Sequence, residues 1–145
     1  MKIGIGSDHA GFEMKEALKT CLGPLGIETI DFGCESTASV DYPDIGYPLA
    51  KAVASSEIDK GILICGSGIG MSIVANKVPG VRAALAGNAD IARLAREHND
   101  ANILVLGARV ININEAEKIM QVFLKTKFTG GRHARRVKKI AEGEG

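Results

Sequence analysis

Five short apolar runs alternate with stretches of helical period along the whole chain, and this alternation restricts the fold most. The runs are Lys2–Ser7, Glu28–Phe32, Gly61–Ile64, Arg82–Ala86 and Ile103–Leu106, and each reads as a strand. Between them, apolar residues recur at i, i+3, i+4 and i+7. Met14, Ala17, Leu18 and Cys21 form one such stripe, and Ile91, Leu94, Ala95 and His98 another. Ala116, Ile119, Met120, Phe123 and Leu124 form a third, on a fifth helix. Asn112 followed by Glu115 has the form of that helix's start, with asparagine as the cap. Strands alternating with helices predict an α/β fold, a parallel sheet covered on both faces. At 145 residues the chain fits a single domain spanning 1–145, with no linker, repeat or low-complexity segment. Pro79-Gly80 marks a turn before the fourth strand, and Gly130-Gly131 breaks the chain before a short basic tail.

The third strand runs into Cys65-Gly66-Ser67-Gly68-Ile69-Gly70, and a helix pattern follows from Met71. Glycines let backbone N–H groups approach an anion, and a helix N-terminus favours negative charge. The same positive field favours a thiolate at the turn's entrance. Cys65 is therefore a candidate nucleophile or base beside a candidate anion hole. The loop lacks the Gly-Lys-Ser/Thr ending of a Walker phosphate loop. It also lacks the third glycine of a dinucleotide fingerprint, since Met71 stands there, and it belongs to the third βα unit instead of the first. No nucleotide cofactor is expected.

In open α/β sheets, ligands bind beyond the carboxyl ends of the strands, where the strand order reverses. A 2-1-3-4-5 order puts that switch between strands one and three. Asp8-His9 ends the first strand and Cys65 the third, so both would share one crevice. Asp8 also suits a helix cap, and His9 suits a donor to phosphate or hydroxyl. His98 reads either as a core histidine on an apolar stripe or as an acid–base group where the helix gives way to Asn99-Asp100-Ala101-Asn102. Arg132 and Arg136 share a face if the tail is helical, and two guanidiniums so spaced suit one phosphate. Arg109, after the fifth strand, is a further cation. Tyr42, in Val40-Asp41-Tyr42-Pro43-Asp44, is expected on the loop after the second strand, either packed or reaching the crevice. Cys21 is expected in the core, and Cys34 has no assigned role.

Lys plus Arg number 18 against 17 Asp plus Glu, a net charge of +1. No global field draws such a chain to nucleic acid or membrane, and no apolar run approaches membrane-spanning length. The start of the sequence shows no signal-peptide pattern. Three cysteines without metal spacing suggest a reducing, cytoplasmic setting and no metal centre.

Taken together, the motifs resemble the type B ribose-5-phosphate isomerases, which include allose-6-phosphate isomerases and are related to galactose-6-phosphate isomerase subunits. The resemblance rests on Gly6-Ser7-Asp8-His9-Ala10-Gly11, Val40-Asp41-Tyr42-Pro43-Asp44 and the segment Gly61 to Ser72. It continues through Ala75-Asn76-Lys77, Arg96 to Asn102 and Gly130-Gly131-Arg132-His133. It implies a Rossmann-like three-layer α/β/α sandwich with a five-stranded parallel sheet and a C-terminal helix, working as a homodimer or dimer of dimers. It implies a metal-independent aldose–ketose isomerase without cofactor, acting through a cis-enediolate in the non-oxidative pentose phosphate pathway. By resemblance, Cys65 removes the C2 proton, backbone amides from Gly66 to Gly70 stabilise the enediolate, and Ser67 positions substrate or base. Many relatives carry threonine at the position of Ser67. His98 corresponds to the group that opens the furanose ring, and Asp8 to one that handles protons at sugar hydroxyls. His9, Arg109, Arg132 and Arg136 correspond to phosphate ligands, and Tyr42 and Asn99 to other substrate contacts. His98, Asn99 and Arg109 would come from the neighbouring subunit. Ribose 5-phosphate is the first substrate expected, with allose or galactose 6-phosphate as alternatives. A non-catalytic sugar-phosphate binding module would keep the loop and arginines but need neither Cys65 nor His98. RNA binding through the tail is a third possibility, predicting salt-dependent retention on polyanions.

Overall fold

The structure, a computed structural model, describes residues 1–144; Gly145, the last residue of the expected domain, lies outside the described residues. Five parallel strands form one sheet: β1 (Lys2–Ser7), β2 (Glu28–Asp31), β3 (Lys60–Cys65), β4 (Ala83–Leu85) and β5 (Ile103–Gly107). Six helices accompany them: α1 (Phe12–Leu22), α2 (Tyr42–Ala54), α3 (Ile69–Asn76), α4 (Ala89–Asn99), α5 (Ile113–Lys125) and α6 (Arg132–Gly143). The α/β/α sandwich, the five parallel strands and the C-terminal helix agree with the sequence reading.

The strand order does not. It is β2-β1-β3-β5-β4, with β5 inserted between β3 and β4, instead of 2-1-3-4-5. The physical reason lies in the strands. Every residue of β5 is buried, so it belongs inside the sheet. β4 has three residues and none is buried, which suits an edge. The handedness of βαβ connections then distributes the helices. Moves from β2 to β3 and from β3 to β4 run one way across the sheet, and α2 and α3 lie on one face. Moves from β1 to β2 and from β4 to β5 run back, and α1 and α4 lie on the other face with α5. The switch between β1 and β3 is unaffected.

Alternating strand residues feed two cores. Ile62, Ile64, Leu104 and Leu106 pack with Met14 and Leu18 of α1, Ala92 and Ala95 of α4, and Ile119 and Phe123 of α5. Leu63, Cys65, Ile103 and Val105 pack with Leu49 and Val53 of α2 and Met71 and Ala75 of α3. The predicted start of α5 is a complete capping box, with Asn112 Oδ1 accepting from the Glu115 N–H at 2.8 Å and Glu115 accepting from the Asn112 N–H at 3.3 Å. The α4 stripe departs from its prediction. Ala92, Ala95 and Arg96 are buried, while Ile91 is exposed. This turns the buried face by about 100°, one residue. Small alanines let α4 lie close to α5, and Arg96 is retained inside because it finds partners there. Among the described residues no helix is long and apolar enough to cross a membrane.

Candidate active site

At the carboxyl ends of β1 and β3, an open hollow of about 440 Å³ is lined by Asp8, Tyr42, Cys65, Ser67, Gly70 and Arg109 among others. A second, of about 480 Å³, shares Asp8 and Tyr42 and extends past His9 and Val40. Parallel pairing brings the first and third strand ends side by side, with Ser7 opposite Ile64. Asp8 and Cys65 follow immediately, so the crevice expected at the switch point is present.

Cys65 is a free, buried thiol, 4% exposed, at the last position of β3. Gly68 turns the chain into α3 with a φ of +82°. A Cβ there would strike Leu85 and crowd the backbone of Leu106, so glycine alone fits. No side chain caps α3 in the usual way. Instead the Ser67 hydroxyl accepts from the Ile69 N–H at 3.1 Å, which leaves its own proton free to donate. The Ile69 amide is thus engaged, and the Gly70 and Met71 amides carry the open positive end of the helix.

Asp8 caps a 3-10 turn, His9–Gly11, that leads directly into α1. Its Oδ1 accepts from the Gly11 N–H at 3.1 Å. His9 Nδ1 accepts from the Val40 N–H at 3.2 Å, so neutral His9 carries its proton on Nε2, ready to donate. Tyr42 is not on a loop: it is the first residue of α2, with Pro43 pre-set for a helix start behind it. Its ring lies against Gly70, and the residue lines the hollow.

Arg109 reaches the hollow within its own chain, contrary to the expectation that a neighbouring subunit supplies it. β5 pairs with β3 so that Gly107 stands opposite Cys65. The Ala108 and Arg109 N–H groups then donate to the Cys65 and Gly66 carbonyls, each at 2.9 Å. The guanidinium thereby lies beside Gly66.

His98, Asn99, Arg132 and Arg136 stand elsewhere. α4 runs opposite to the strands, so its last turn lies at the amino end of β5. At about 3.3 Å per residue, β5 alone separates that end from Cys65 by some 13 Å. α6 begins beside the same turn, where His133 contacts His98. Arg132 and Arg136 therefore belong with His98 and not with the crevice of their own chain. Both arginines are exposed, and among the described residues neither makes an ion pair.

Two residues with no site role in the sequence reading hold this second group. Arg96 donates to the Ala101 carbonyl at 2.6 Å, to Asp100 Oδ1 at 2.9 Å and to the Thr126 carbonyl at 3.1 Å. Arg82 Nε donates to the Asn99 and Asp100 carbonyls at 3.1 and 3.0 Å. Asp100 itself closes α4 in the left-handed conformation, φ +47°. The turn carrying His98 and Asn99 is thus clamped from both sides. Nothing in the sequence pattern signals this, because Arg96 interrupts the apolar stripe it helps to bury.

The ribose/galactose isomerase family model matches residues 3–140. A ribose-5-phosphate isomerase B from Escherichia coli is 44% identical over 139 residues, covering 96% of this chain and 93% of that protein. The structure of ribose-5-phosphate isomerase B from Clostridium thermocellum superposes with a TM-score of 0.98 at 56% identity, covering 99% and 97% of the two chains. That of Mycoplasma genitalium ribose-5-phosphate isomerase B, which holds ribulose 5-phosphate, superposes with a TM-score of 0.95 at 43% identity, covering 99% and 95%. Sheet, glycine loop and relatives agree: this chain belongs to the ribose/galactose isomerase family, with the fold of its type B ribose-5-phosphate isomerases.

Proposed function

We propose that this protein interconverts ribose 5-phosphate and ribulose 5-phosphate, in the non-oxidative pentose phosphate pathway. The observation that carries the reading is the free thiol of Cys65 beside the amino end of α3, in a crevice shared with Asp8, Tyr42 and Arg109. A C–H beside a carbonyl is a weak acid, so its removal requires stabilisation of the oxygen that takes up the charge. Cys65 takes the C2 proton of the open-chain aldose, and the electron pair moves onto the carbonyl oxygen. The amides at the start of α3 and the Ser67 hydroxyl stabilise that oxygen. Return of the proton to C1, with transfer of the O2 proton to O1, gives the ketose. In this reading Asp8, which lines the hollow, relays the hydroxyl protons, and His9 Nε2–H and Arg109 supply donors for phosphate or hydroxyls.

A second copy completes the site in this reading. His98, Asn99, Arg132 and Arg136 cannot reach Cys65 of their own chain, so they serve the crevice of a partner. The rim supports this. Ile69 and Ile73 are each 57% exposed and Val110 is 69% exposed, an apolar border suited to cover by another protein surface. From the partner, His98 opens the furanose ring, and Arg132 and Arg136 bind phosphate. Three unpaired thiols suit a reducing compartment, in keeping with a cytoplasmic enzyme. Allose 6-phosphate remains the second substrate, since one hydroxymethyl group changes discrimination by only about 1–3 kcal/mol.

The test is ketose formation from ribose 5-phosphate and from allose 6-phosphate, in parallel, with EDTA in both. Fast pentose turnover is expected. Turnover of the hexose alone would move the substrate. Silence in both, with retained sugar-phosphate binding, would replace the enzyme by a binding module.

A further inference from the structure

The imidazole of His133 lies face to face with that of His98, with ring centroids 4.2 Å apart and planes 11° from parallel. His133 is the second residue of α6, and His98 is in the last turn of α4. The reaction above leaves His133 without a task. We propose that His133 is a positioning residue for furanose opening, its ring holding the His98 imidazole edge-on to the sugar bound by the partner copy. This rests on the reading of His98 as the ring-opening group.

The chain is built to make this stack. Thr129 donates twice to the Glu97 carbonyl, from its N–H at 3.1 Å and from its hydroxyl at 2.7 Å. The segment leaving α5 is thereby tied to the residue before His98. Gly130 and Gly131 follow with φ of +70° and +58°, conformations that let the chain reverse at once and start α6 beside α4. No residue of α6 is fully buried, so the imidazole pair is a principal contact at its start. Among the described residues no hydrogen bond fixes either ring, and the stack sets the orientation of His98.

Ring opening needs that orientation. One imidazole nitrogen takes the proton of the anomeric hydroxyl. The conjugate acid gives a proton to the ring oxygen, the C1–O4 bond breaks, and the C1 carbonyl forms. Both oxygens must meet the nitrogen edge of the ring. A neighbour stacked on the face leaves that edge open and removes the rotational freedom that would spoil the approach. The charged side chains acting on His133 are Arg132 and Arg136, both from α6. Partial burial, and then the neighbouring His98, Arg132 and Arg136, lower the His133 pKa from the ordinary histidine value.

Two reactions of the full-length protein separate positioning from general damage. Ribose 5-phosphate is mostly cyclic and must be opened. Ribulose 5-phosphate cannot close a furanose, because its O5 carries the phosphate, yet its C1 hydrogen exchanges with D2O through the same enediolate. His133→Ala should lower kcat on ribose 5-phosphate about tenfold or more while C1 exchange stays within about twofold of wild type. His133→Phe, which restores a flat face, should recover most of the loss. Equal losses in both reactions, no loss in either, or a phenylalanine variant as poor as alanine would each overturn the proposal. A His98→Asn variant that keeps full ribose 5-phosphate turnover would instead overturn the ring-opening reading beneath it.

Discussion

A single absent methyl group shapes the catalytic loop. Gly107 ends β5 opposite Cys65, and a Cβ there would lie 2.5 Å from the Ser67 carbonyl oxygen and 2.7 Å from its carbon. Backbone cannot step aside as a flexible side chain can. Gly107→Ala must therefore push the loop away from β5, moving Ser67 and the start of α3. Overpacking of this kind costs about 1–3 kcal/mol. The expected outcome is a lower melting temperature together with a fall in kcat larger than any change in KM. A variant that melts lower but turns over at the wild-type rate would show that the loop tolerates the shift. By contrast, a Cβ at Gly66 would first meet the Arg109 side chain, at 3.1 Å, which can swing aside.

One carboxylate joins three elements near the crevice. Asp31, the last residue of β2, receives Lys15 and Lys19 of α1 on Oδ2, at 2.6 and 2.8 Å. Its Oδ1 accepts from the Gly33 N–H at 2.8 Å. Gly33 and Cys34 then bracket Ser7, whose N–H donates to the Gly33 carbonyl at 2.7 Å and whose carbonyl accepts from the Cys34 N–H at 2.8 Å. Asp8 follows directly. Lys15 is 1% exposed, so Asp31→Asn strands a buried ammonium with only Glu16, 3.4 Å away, as a charged partner. Breaking a buried pair in this way costs about 3 kcal/mol, to be read as a shift in urea midpoint. The pH response has a definite sign. Burial raises the Asp31 pKa, but hydrogen bonds from Lys15, Lys19 and Gly33 outweigh it and hold it below the ordinary value. A depressed carboxylate stabilises the fold above its unfolded pKa, and that contribution is lost as pH falls through the folded value. Wild type should thus lose stability below about pH 4. The asparagine variant should show a shallower loss there, and an identical pH profile would remove Asp31 from the account.

Across the whole molecule, the proposed site residues fall into two groups at opposite ends of the sheet. If each crevice is completed by another copy, Cys65→Ala and His98→Asn damage different halves of one site. Each variant alone should be inactive or nearly so on ribose 5-phosphate, Cys65→Ala by about two to four orders of magnitude. Mixed and allowed to exchange subunits, they should recover about a quarter of wild-type activity, because half of the dimers are mixed and each has one intact site of two. No recovery after demonstrated subunit exchange would mean that each chain completes its own site.

The amino-acid sequence by itself determined the elements and much of the crevice. Apolar runs and helical stripes marked the strands to within one residue at every end, and Asn112 with Glu115 marked the start of α5. Cys65 ahead of its glycines marked the loop, because those residue types carry their conformational reason locally. Only the tertiary structure decided the rest. It inserted β5 ahead of β4, since burial of a whole strand is a competition among strands and not a property of one. It turned α4 so that Ala92 and Ala95 meet α5 and Arg96 lies over Phe123, 5.8 Å from the ring centroid, a fit no periodicity encodes. It also brought Arg109 to Cys65 and carried His98, Asn99, Arg132 and Arg136 away, because which end of a helix meets which end of a strand depends on chain direction through the assembled sheet.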